Sequence, residues 1–132
     1  MKTTLIIATL AATFALAACQ KHDTAAESQA DVSAARSDAS KDVAEVRKEA
    51  DAKVADASSN QAADQAKVGH ELSKADEDIA IAEANGVHKV AIAKCDAMTG
   101  DARSSCRHQA DADLEMGKAR AHQGRAATDP KP

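Results

Sequence analysis

The 132-residue sequence predicts an all-α chain: a long alanine-rich helix followed by an antiparallel helical hairpin, elongated rather than globular. Three observations predict it. Beyond residue 18 the chain has no aromatic residue and only seven Val, two Leu and three Ile in 114 residues, too little apolar bulk for an ordinary globular core. Alanine, the strongest helix former, fills that space together with Asp, Glu, Lys and Arg, while proline is confined to Pro130 and Pro132. An apolar pattern also recurs every eleven residues through the first half, and two cysteines flank a glycine near position 100.

The N-terminal segment comes first in chain order. Lys2 provides a positive start, and Leu5 to Leu16 form an apolar run without a charge. Twelve residues span only about 18 Å as a helix, short of the roughly 30 Å of a bilayer core. A short apolar run between a basic start and small residues is the pattern of a secretion signal. The run ends in Leu16-Ala17-Ala18-Cys19, which resembles at all four positions the lipobox of bacterial lipoproteins. The resemblance covers the first 19 residues. It implies cleavage after Ala18, a diacylglycerol on the Cys19 thiol and usually an acyl chain on the new amino group. Each buried methylene contributes about 0.8 kcal/mol, and two or more chains anchor stably where one does not. In Gram-negative members, Asp at the next position favours inner-membrane retention. Gln20 stands here instead, so the resemblance implies a lipid anchor in the outer membrane, facing the periplasm.

Residues 1–18 are therefore the expected signal peptide and 19–23 a lipidated tether. The first helix is expected over 24–69. Thr24-Ala25-Ala26-Glu27 fits a capping box, with Thr24 as N-cap and Glu27 reaching back. Val32, Val43 and Val54 are spaced by eleven, as are Ala35, Val46, Ala57 and Val68, and a third set runs Ala39, Ala50, Gln61 and Leu72. Steps of three, four and four keep one narrow stripe on a nearly straight helix. Such a stripe suits a weak coiled coil, a surface-lying helix or a rod, and self-association through it is one expected contact. Unbroken to Val68, the helix would reach about 65 Å. Ser58-Ser59-Asn60-Gln61 is its weakest stretch and Gly69 a further kink point.

The hairpin is expected over 70–123. Its first arm, over 71–98, is bulkier, with Leu72, Ile79, Ile81, Val87, Val90 and Ile92; Asn85-Gly86 either interrupts it or is carried through at a cost near 1 kcal/mol. The second, over 102–122, offers Cys106, Ala110, Leu114, Gly117 and Ala121 to Ile92, Val87 or His88, and Ile81. With Cys19 assigned to lipid, Cys95 and Cys106 form an even pair in an oxidising compartment, where a disulfide is the default. On one straight helix they would lie about 16 Å apart, whereas a disulfide needs Cα atoms within roughly 7 Å. The chain must turn between them. Gly100 suits a left-handed helix end, and Asp101 a new N-cap. The expected hairpin is thus disulfide-stapled, and 124–132 a disordered tail.

For function, the sequence points away from an enzyme. It holds no GxSxG elbow, no SxxK and no HExxH, and His22, His70, His88, His108 and His122 are scattered. No cofactor is expected. The mature chain loses one base, Lys2, with the signal, leaving 16 basic against 21 acidic residues; with no aromatic to stack bases, nucleic-acid binding is not expected. The first expectation is a non-enzymatic envelope lipoprotein, a structural spacer, scaffold or interaction protein. Its partners would be the membrane, through lipid on Cys19, and a second copy or another envelope protein. The alternative is a periplasmic metal-binding or thiol-redox protein built on Cys95, Cys106 and His108. The last third also resembles short alanine-rich periplasmic proteins of unknown function in proteobacteria, which implies no activity. An alanine-rich helix behind a lipidated Cys resembles the murein lipoproteins as well. Those end in a free Lys that joins peptidoglycan; here Pro132 follows Lys131, which argues against that linkage.

Overall fold

The computed structural model describes residues 24–59 and 65–129. The expected signal peptide and tether, Cys19 among them, together with His22, Gln61 and the two prolines, lie outside the described residues. Among those described there are three helices and no strand: α1, Ala25–Ser59; α2, Gln65–Asp96; and α3, Gly100–Thr128. The all-α class and the stapled hairpin are as the sequence predicts.

The start of α1 is the expected capping box. The Glu27 carboxylate accepts from the Thr24 backbone N–H at 2.7 Å, and the Glu27 N–H donates to the Thr24 hydroxyl at 3.3 Å. Down the helix, Ser28, Val32, Ala35, Ala39, Val43, Val46, Ala50, Val54 and Ala57 are covered and their neighbours exposed. This is the eleven-residue stripe, and it lies against α2.

That packing corrects the rod. The chain does not run as one helix over 24–69: α1 stops at Ser59, within its weakest stretch, and α2 starts at Gln65 and runs antiparallel to it, pairing Arg47 with Glu83 and Asp42 with Lys89. Val68, Gly69 and Leu72 therefore belong to α2, and the hairpin begins at 65 rather than 70. The physical reason is that an alanine stripe exposed on a free rod buries nothing, whereas folded back it buries Ala39 and Ala50 against Ala75, Ala82 and Gly86. The stripe is thus the face on which α2 packs, with half-buried Val43 at its edge lining the groove between the two helices.

α2 passes unbroken through Asn85-Gly86. Gly86 is buried there, and a Cβ on it would lie 3.0 Å from the Ala39 Cβ. On the opposite side of α2, α3 makes the same kind of approach, with Gly117 facing Ala84. α1 and α3 each contact α2 and not each other, so the three helices form a flat layer with α2 in the middle. The core is alanine, Ala39, Ala50, Ala75, Ala82, Ala110 and Ala121, plus Cys95, the one side chain wholly buried among the described residues. Small residues at the buried positions let the helices approach closely and substitute for the missing aliphatic bulk.

Two further expectations change. The tail is helical through Thr128, because Arg125 pairs with Glu77, His70 meets Asp129, and the Asp129 N–H closes on the Arg125 carbonyl at 2.8 Å. The N-cap of α3 is Thr99, not Asp101, which lies in the first turn.

Candidate functional site

Four groups of residues stand out, beginning with the hairpin tip. Cys95 and Cys106 are joined in a disulfide with Cα atoms 5.5 Å apart. Gly100 has φ +58°, the left-handed conformation expected of it. The Met98 N–H donates to the Cys95 carbonyl at 2.9 Å. Arg103 donates from Nε to the Met98 carbonyl at 2.7 Å and from Nη2 to the Asp96 carbonyl at 2.8 Å, while Arg107 pairs with the Asp96 carboxylate. Arg103 thus satisfies carbonyls at the end of α2, Arg107 is held on the Asp96 side chain, and both place positive charge at the C-terminal end of its dipole.

The far end of the hairpin centres on Glu77, whose side chain is only 8% exposed. Arg125 Nη1 donates to it at 2.8 Å, and His122 Nδ1 lies 2.5 Å away. These hydrogen bonds, Arg125 first and then His122, hold the Glu77 carboxyl below its ordinary value, and the same contact pushes the Arg125 guanidinium up. Between tip and far end, His88 Nε2 lies 2.8 Å from Asp111, and beyond Glu77, His70 Nδ1 lies 2.9 Å from Asp129. Three of the four described histidines therefore meet a carboxylate across the α2–α3 contact.

The fourth group is the groove where α1 meets α2 on one face of the layer. It is an open concavity of about 800 Å³, floored by Val43, Ala44, Val87, Val90 and Ala91. Val87 is 69% exposed there, and Leu72, further along α2, 45%. Arg36 and Lys94 stand at one end, and the Arg47–Glu83 pair, 2.6 Å apart, closes the other.

The sequence-predicted residues are placed as follows. Cys95 and Cys106 come together, as expected of a staple. His108 does not join them: it is exposed on α3, and Asp96 is held by Arg107. Among the described residues no group of three or more His, Cys, Asp and Glu is arranged to hold a metal ion. His88, not Val87, faces α3, so the hairpin register resolves in favour of His88. The His–carboxylate pairs were missed, although a signal exists. His70 with Asp129, Glu77 with His122, and His88 with Asp111 are each symmetric about the same point next to Gly100, the turn that the sequence does mark. Comparison with protein-family models, with curated proteins and with solved structures finds no match.

Proposed function

We propose that this chain is a non-enzymatic lipoprotein of the bacterial cell envelope, anchored by lipid on Cys19 in the outer membrane and acting in the periplasm as a scaffold or spacer. The observation that carries the reading is the Leu16-Ala17-Ala18-Cys19 tetrapeptide together with the Cys95–Cys106 disulfide, which leaves Cys19 as the one cysteine free for lipid. No described helix is long and apolar enough to cross a membrane, so attachment through lipid is the route that fits this body. The α1 cap at Thr24 follows Cys19 by five residues, a tether of at most about 18 Å. Because α2 returns alongside α1, with Lys94 and Ala97 beside Ser28 and Val32, the hairpin tip comes back to the anchor end. The far end of the layer then lies about 50 Å away along α1. The groove floor of valine and alanine offers an apolar contact surface rather than a desolvated pocket for chemistry.

The test is an intact mass of protein extracted from its own membranes, beside a Cys19→Ala variant. The expected species starts at Cys19, carries acyl chains and is two hydrogens light, and the variant is neither acylated nor cleaved after Ala18. An unmodified Cys19 in the wild type overturns the proposal, and free Cys95 and Cys106 would shift attention to the tip as a thiol site.

A further inference from the structure

We infer that the α1–α2 face bearing the open groove is a docking surface for a second copy of this chain, the two copies packing face to face about a two-fold axis. The inference rests on the described fold and is independent of the lipid anchor. Positions 36, 40, 43, 44 and 47 of α1 and 83, 87, 90, 91 and 94 of α2 line the groove. Extended by the helical repeat, the same face next reaches Asp51 on α1, and Ala80, Asp76 and Leu72 on α2. Asp51 and Asp76 are exposed, as are Arg36 and Lys94, and none of these four forms an ion pair with another described residue.

Their placement is antisymmetric. The antiparallel register that sets Arg47 beside Glu83 and Asp42 beside Lys89 puts Arg36 level with Lys94, and Asp51 within about a turn of Asp76. The cationic and acidic levels are some 22 to 27 Å apart. Val43 and Val87 lie near the midpoint, the latter the most exposed large apolar side chain described. A two-fold axis through that midpoint lays valine on valine. It also sets Arg36 and Lys94 of each copy over Asp51 and Asp76 of the other. A parallel arrangement would instead stack like charges, which is disfavoured. Two helices side by side over about 50 Å present roughly 1,000 Å² per copy, compared with the ~800 Å² per partner of a standard interface. For chains attached at Cys19, this pairing sets the two anchors at opposite ends and lays the pair along the bilayer.

The test uses the full mature chain with Cys19→Ser, so that no lipid drives association, and reads oligomeric state by sedimentation at low salt. The expected result is a dimer for the parent, weakened by on the order of a hundredfold in R36E/K94E and equally in D51K/D76K, each with unchanged helical circular dichroism. Mixing the two variants restores a heterodimer, because each then offers the other opposite charges at both ends. V87E, at the axis, breaks the dimer by itself. A monomeric parent at 100-fold the concentration of a ~1 μM dimer overturns the inference. So does a dimer indifferent to R36E/K94E, or a mixture that stays monomeric.

Discussion

Two glycines of α3 turn the close helix approach into a measurable difference. Glycine inside a helix costs about 1 kcal/mol relative to alanine, so either Gly→Ala change gains that much from the backbone alone. At Gly124 an added Cβ meets nothing within 4 Å, and the gain is kept. At Gly117 the new Cβ would sit 2.9 Å from the Ala84 Cβ, itself fixed to the α2 backbone with no rotamer to swing away. α3 must then move outward by about 0.5 to 1 Å to restore ordinary contact, which takes Arg125 and His122 away from Glu77. Overpacking of this kind costs about 1–3 kcal/mol. Gly124→Ala should therefore stabilise by about 1 kcal/mol, and Gly117→Ala should destabilise by about 1 kcal/mol after its propensity gain. At 4–8 °C per kcal/mol, the two melting points should differ by roughly 8 to 16 °C. Urea unfolding of the Cys19→Ser mature chain, followed by far-ultraviolet circular dichroism, measures both. Adding Ala84→Gly to Gly117→Ala should recover most of the loss, since the removed methyl vacates the clash. If Gly117→Ala stabilises as much as Gly124→Ala, α2 and α3 do not approach as described and the glycine-contact argument fails.

Other outcomes follow from the same contacts. Replacing both Cys95 and Cys106 by Ser should lower stability by about 3 kcal/mol, the chain-entropy value for a loop of this size, seen as a lower urea midpoint. The Glu77 carboxyl is held below its ordinary value by Arg125 and His122, so its contribution is present above the unfolded value and lost as pH falls through the folded one. Unfolding midpoints should accordingly drop below about pH 4, and Glu77→Gln should flatten that acid limb while lowering stability at neutral pH. Lys89 is raised by Asp42, so its contribution is lost only as pH climbs through that raised value; Asp42→Asn should remove the alkaline limb from the same titration. Ala50→Leu, at a buried α1 position, should cost about 1–3 kcal/mol and free α1 to proteolysis, whereas Ala34→Leu at an exposed one should leave both unchanged.

Local chemistry alone determined the helical class, the start of α1 and the turn at Gly100. A capping box, an alanine-rich composition and a glycine between two cysteines act within a few residues, and their physics is complete before any helix meets another. The stripe from Val32 to Ala57 was equally legible, because burial on one helix face imposes a period whatever covers it. What covers it was not legible. The eleven-residue spacing carries on in phase through Val68 and Leu72, so periodicity cannot separate one rod from two helices folded together. The reversal between 59 and 65 is decided by energy gained only across the contact, where Ala39 meets Gly86. Gly86 reads from the sequence as a possible interruption and Gly117 as one position on the contact face of the second arm; only the neighbouring alanines make them points of closest approach. Likewise Glu77, one carboxylate among many, acquires its lowered pKa from Arg125 and His122, which lie 45 and more residues away and reach it only because α3 runs back along α2.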